Sequence, residues 1–127
     1  MNKYTAGGVS ALCGNHSYIN ATEGLSRVMG NQKLYRRMLE LFLQSKEFQA
    51  LEDAVVAYDF AAADDAAHAI KGISGNLSMI PLFELSAKLT EQFRAGIMDK
   101  ATIDGYREAL GATRSEAGAL MVELDNL

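Results

Sequence analysis

His68 stands in the string Ala-His-Ala-Ile-Lys-Gly-Ile-Ser-Gly-Asn-Leu-Ser, residues 67–78. Its imidazole can serve as nucleophile, general base or metal ligand. At about 100° per residue, Ala63, Ala66, Ile70, Ile73 and Leu77 form one apolar stripe of a helix, and Asp64, His68, Lys71, Gly72 and Gly75 form the opposite, wet one. Lys71 brings a cation one turn beyond the imidazole. Gly72 and Gly75 each cost roughly 1 kcal/mol relative to alanine in a helix interior, so their presence implies that something approaches this face closely. An isolated outward histidine is usually a plain surface residue. A neighbouring lysine is common beside such a histidine, but the two glycines and the following Asn76-Leu77 argue against that reading here.

Other chemistries fit poorly. None of the six lysines follows a glycine and no Gly-x-Gly-x-x-Gly occurs, so the chain has neither a phosphate loop nor a dinucleotide fingerprint. Asp64 and Asp65 precede His68 on the same helix, but a metal site in a helical bundle needs several ligands converging inward from facing helices. The only other histidine, His16, lies in a segment without further ligand types, and His68 points outward, so no metal site is expected. No Ser or Cys has an oriented base of the kind a hydrolytic triad requires.

The totals narrow the class. A chain of 127 residues fits one domain with a real core. A formal charge of −4 without a Lys/Arg run gives no footprint for nucleic acid. The single cysteine, Cys13, excludes an internal disulfide and fits a reducing compartment. No apolar run is long enough to span a membrane and no secretory leader is visible at the start, so cytoplasmic residence is expected.

The elements that must carry His68 are helices. Residues 1–18, with Gly7, Gly8, Gly14, Asn15 and Ser17, read as a flexible arm, and residues 19–127 as the domain. A short helix is expected over Thr22–Met29, with Asn20 or Thr22 as its cap and Gly30 at its end. Leu34, Met38, Leu41, Phe48, Val55 and Tyr58 then recur at helical spacing, either in one long helix or in two joined by a bend near Ser45–Glu47. Asp59 caps the His68 helix, expected from about Phe60 to Met79, which Pro81 terminates while opening the next. Leu82, Leu85, Leu89 and Phe93 are the buried stripe of that helix, and Gly96 closes it. Ile103, Tyr106, Leu110, Thr113, Ala117, Leu120, Leu124 and Leu127 carry the last helix to the end. No segment alternates like a strand, so the expected fold is all-α: an antiparallel four-helix bundle with a short additional N-terminal helix.

His68-Ala-Ile-Lys71-Gly72, followed by Gly75-Asn76-Leu77, resembles the phosphorylation motif of histidine-containing phosphotransfer (HPt) domains, the intermediate carriers of two-component phosphorelays. Ile19 through Gly24-Leu25, then Leu34-Tyr35, Leu39 and Phe42, resemble that family's entry and second helices. Leu85, Ala87, Leu89 and Gly96 resemble the helix after the motif. The likeness spans about residues 19–97. Two positions depart from it: Ser78 stands where the family usually has glycine, and Thr90 where Glu or Gln is more usual.

The resemblance implies a carrier that accepts a phosphoryl group on His68 from a receiver-domain aspartate and passes it to another receiver domain. It would have no ATP site and no kinase activity of its own. An exposed neutral imidazole is a good nucleophile near neutral pH, and its phosphoramidate keeps enough transfer potential to phosphorylate an aspartate. Lys71 would face the new dianion. Gly72, Gly75, Asn76, Thr90 and Arg94 would support the phosphoryl group or the partner, and Leu25 and Met29 would dock it. The implied partners are receiver domains of a hybrid sensor histidine kinase or a response regulator. The carrier is expected as a monomer without cofactor, with Mg²⁺ supplied by the receiver. The competing reading is a helical adaptor that binds a receiver or kinase without phosphotransfer. Its sign would be loss of the histidine or the lysine, and both are present.

Overall fold

Asn20, Asn31, Asp59 and Asp99 each precede a helix and accept a hydrogen bond from a backbone N–H three residues on, at 3.0–3.1 Å. Such caps satisfy donors that no intrahelical carbonyl can reach. The computed structural model describes residues 17–127. Among these it has six helices: α1 (Ala21–Arg27), α2 (Gln32–Leu43), α3 (Glu47–Val56), α4 (Phe60–Asn76), α5 (Ile80–Arg94) and α6 (Lys100–Asp125). Of the expected arm, only Ser17 and Tyr18 fall within the described residues. Tyr18 is tied to the bundle, its N–H donating to Glu116 Oε1 at 2.9 Å. Cys13 and His16 lie outside the described residues.

The bundle forms as α4 packs along α5, α3 packs on α4, α6 packs on α5, and α2 returns against α6. Of the two readings open for this segment the structure has the bend near Ser45–Glu47, which divides it into α2 and α3. The core runs through the middle, with Tyr35, Leu39, Phe42, Leu51, Ile70, Leu77, Leu82, Leu89, Phe93, Tyr106 and Leu120 all buried. Phe42 and Phe48 meet edge to face across the bend, ring centroids 5.2 Å apart. That geometry suits the quadrupoles of the two rings.

One boundary differs from the sequence expectation. The His68 helix ends at Asn76, not Met79. Ser78 turns the chain with φ of 56°, and the N–H of Met79 closes back on the carbonyl of Ser74 at 2.9 Å. Pro81 therefore stops nothing. It sits in the first turn of α5, where its missing N–H is harmless. A non-glycine residue in the left-handed region costs about 1–2 kcal/mol, which explains a preference for glycine at this turn. In this chain the buried Ser78 hydroxyl offsets the cost by donating to Glu23 Oε1 at 2.8 Å and accepting from Arg27 Nε at 3.2 Å. The Ser78 carbonyl accepts from the Asn20 N–H at 2.9 Å. The turn after the His68 helix thus anchors α1.

Candidate functional site

His68 is exposed on α4 and makes no hydrogen bond among the described residues. The opposite face of the same helix, Ala63, Ala66, Ala67, Ile70 and Ser74, is buried. This polarity follows from the 3.6-residue period of the apolar stripe and turns the imidazole outward. A free ring on a rigid helix can approach an external electrophile.

The two glycines do different things. A Cβ added at Gly72 would meet nothing within 4 Å, so the surface beside His68 is flat and open. A Cβ added at Gly75 would lie 3.1 Å from the ring atoms Cδ1 and Cε1 of Phe83. Gly75 is therefore not a partner-facing residue as its spacing suggests. It lets α5 bring Phe83 onto the His68 helix. The Phe83 ring in turn receives Lys71, whose Nζ stands 6.0 Å from the ring centroid, within the range of a cation–π contact. Lys71 is half-buried, as suits a long stem lying along apolar surface. Phe83 escaped sequence reasoning because it lies off the Leu82–Leu85–Leu89–Phe93 stripe. An aromatic residue outside the main stripe was the available signal.

Arg94, at the end of α5, reaches across to α4, where its Nε donates to Asp64 Oδ2 at 3.1 Å. Asp64 lies one turn before His68 on the same face, so the structure brings Arg94 to the His68 region. The pairing was not legible from spacing, since the partners are 30 residues apart.

Three expected site residues are placed elsewhere. Thr90 is buried and its hydroxyl donates to the Ala87 carbonyl at 2.7 Å, so it cannot reach a phosphoryl group on the surface. Helix α5 is enclosed by both α4 and α6, and its buried arc is wider than one stripe. Leu25 is fully buried in the core and cannot dock a partner. Met29, four residues later, would share its face if α1 continued. The helix ends at Arg27, however, and Met29 adopts φ of 55°, which turns its side chain out to 82% exposure. Asn76 is exposed at the end of α4, about 12 Å along the axis from His68. It lines a separate cavity of about 410 Å³ between α2 and α4, with Met38, Leu41, Phe42, Ile73 and Leu77.

Among the described residues no cluster of three or more His, Cys, Asp or Glu side chains is placed to hold a metal ion, and no helix is long and apolar enough to cross a membrane.

A sequence model of the Hpt domain matches residues 37–120, most of the chain and all of the segment around His68. The chain belongs to the Hpt domain family and is a histidine-containing phosphotransfer protein of the two-component type. No curated protein and no solved structure matches it.

Proposed function

We propose that His68 is the phosphorylated residue, and that this Hpt protein moves a phosphoryl group between receiver domains of a hybrid sensor kinase and a response regulator. The observation that carries the reading is the geometry of His68: exposed, without a hydrogen bond among the described residues and flanked by open surface at Gly72, on a helix whose other face is locked in the core. His16, the other histidine, lies outside the described residues.

In the accepting step a ring nitrogen lone pair attacks the phosphorus of a receiver's aspartyl phosphate. The N–P bond forms as the P–O bond breaks, the aspartate carboxylate leaves with the bonding pair, and the proton on the second ring nitrogen stays or passes to solvent. The passing step is the reverse, onto another receiver's aspartate. Lys71 places positive charge one turn from the new dianion. A unit charge pair at about 4 Å is worth on the order of 1–4 kcal/mol between bulk water and protein-surface dielectrics. Mg²⁺ belongs to the receiver in this scheme. The docking surface is the His68 face together with Met29, the exposed apolar residue after α1.

Incubation with a phosphorylated receiver tests the proposal. The wild type should acquire an acid-labile, base-stable phosphate and His68→Gln should acquire none while melting at the wild-type temperature. Labelling of His68→Gln would overturn the assignment. Tight receiver binding without any labelling of the wild type would establish the adaptor reading in its place.

A further inference from the structure

The Asp64–Arg94 pair is poorly built as a device for stability. Arg94 offers only its Nε to the carboxylate, its side chain is 60% exposed, and its terminal nitrogens have no partner among the described residues. Asp64 Oδ1 is buried and accepts no hydrogen bond among those residues. A two-pronged Arg–carboxylate contact would have satisfied both oxygens, and exposed single-contact pairs contribute little to folding. The position of the carboxylate is more telling than its strength. Residues four apart on a helix have Cβ atoms about 5–6 Å apart, so Asp64 stands one turn before His68 on the same face and holds the Arg94 guanidinium against that face.

We propose that Asp64 is a positioning residue that parks Arg94 beside His68 and competes with the phosphorylated imidazole for that guanidinium, so that the phosphohistidine stays readily transferable. The inference rests on the reading that His68 carries the phosphoryl group. A phosphoryl group presents three acceptor oxygens and a charge of about −1.5 to −2, so it draws Arg94 away from a single carboxylate contact. Asp64, left without its cation, then faces the dianion as a like charge one turn away. That repulsion raises the free energy of the phosphorylated carrier and favours handing the group on. Before phosphorylation the same carboxylate keeps Arg94 from swinging into solvent. The three groups form a balance between two arrangements, Arg94 on Asp64 or Arg94 on the phosphoryl group.

The test is the lifetime of phosphorylated His68 in the full-length protein, together with the equilibrium of exchange with a phosphorylated receiver. Asp64→Asn should lengthen the lifetime and shift the exchange toward the phosphorylated carrier by roughly two- to fivefold, from loss of a repulsive neighbour and release of the arginine. Arg94→Ala should shorten the lifetime, and Asp64→Glu should restore wild-type values. In an Arg94→Ala background the competition for the guanidinium is gone and only the direct repulsion is left, so Asp64→Asn should give a smaller gain there than in the wild type. Unchanged lifetime and exchange in Asp64→Asn, or a full gain in the absence of Arg94, would overturn the proposal. His68→Gln is the control that separates the two claims: labelling there defeats the phosphorylation site, whereas normal His68 labelling with an inert Asp64→Asn defeats only the balance.

Discussion

The two faces of α4 are built from the same seventeen residues and obey opposite rules. The inner face, Ala63, Ala66, Ala67, Ile70 and Ser74, is packed so completely that the Ser74 hydroxyl must bond its own helix, donating to the Ile70 carbonyl at 2.8 Å. Among the described residues the outer face has one weak ion pair, one lysine over an aromatic ring and a glycine facing open space. The difference teaches that the rigidity of His68 is borrowed. Among the described residues nothing hydrogen-bonds the imidazole, and its direction is set by the burial of residues half a turn away. Stability and chemistry should therefore separate by face.

Truncating the inner face should give the largest effect. Ile70→Ala is expected to lower unfolding stability by about 2–5 kcal/mol, as for other buried aliphatic truncations, whereas His68→Gln should stay within about 0.5 kcal/mol of wild type. Denaturant titration of both variants checks the contrast, and comparable losses would erase the distinction between the faces.

The glycines sharpen it on the outer face itself. Gly75→Leu forces a side chain against Phe83 and should cost about 1–3 kcal/mol. Gly72→Ala enters open space and should add roughly 0.5–1 kcal/mol through helix propensity. Gly72→Gln should be as stable as wild type yet impede phosphoryl exchange by obstructing the receiver. Thermal melts combined with transfer assays distinguish these outcomes, and a destabilised Gly72→Gln with normal transfer would move Gly72 to the packing side.

Lys71→Ala removes a cation–π contact at the edge of its range and should cost at most about 1 kcal/mol of stability. It should slow phosphoryl acceptance or shorten the phosphohistidine lifetime, and added salt should narrow the gap to wild type. Equal rates and lifetimes at all ionic strengths would mark Lys71 as a surface charge alone.

The smallest expected effect lies at the turn that anchors α1. The Glu23 carboxyl is held below its ordinary value of 4.5, first by the Ser78 hydroxyl and then by Arg27. A carboxyl lowered in the folded state adds stability that is present above its unfolded value and is lost as pH falls through the folded one. The stability difference between wild type and Ser78→Ala should therefore narrow as pH drops below about 4.5, and it should stay constant near neutral pH. Urea titrations across that range read it directly, and a gap that widens on acidification would remove Glu23 from the tie.

The sequence left open Asn20 or Thr22 as the first cap and a bend or one long helix near Ser45–Glu47, but by itself it determined the helical class, the Asp59 cap, the apolar stripe of α4 and hence the outward direction of His68. All of these depend on local geometry: a 3.6-residue period, a side chain reaching its own backbone three residues on, or a break in propensity. The flanking lysine was legible for the same reason, and the motif from His68 to Leu77 through its resemblance to the Hpt family. What only the tertiary structure decided depends on helices meeting. Gly75 is a contact glycine because Phe83 lies over it, and Thr90 is buried because α5 has neighbours on two sides. Met29 parts from the buried Leu25 because a positive φ ends their common face. Ser78 tolerates a strained turn because Glu23 and Arg27 arrive from more than fifty residues away. Arg94 meets Asp64 across thirty residues. Periodicity reports which way a side chain points within its own helix, but it carries no information about what another helix will place in front of it.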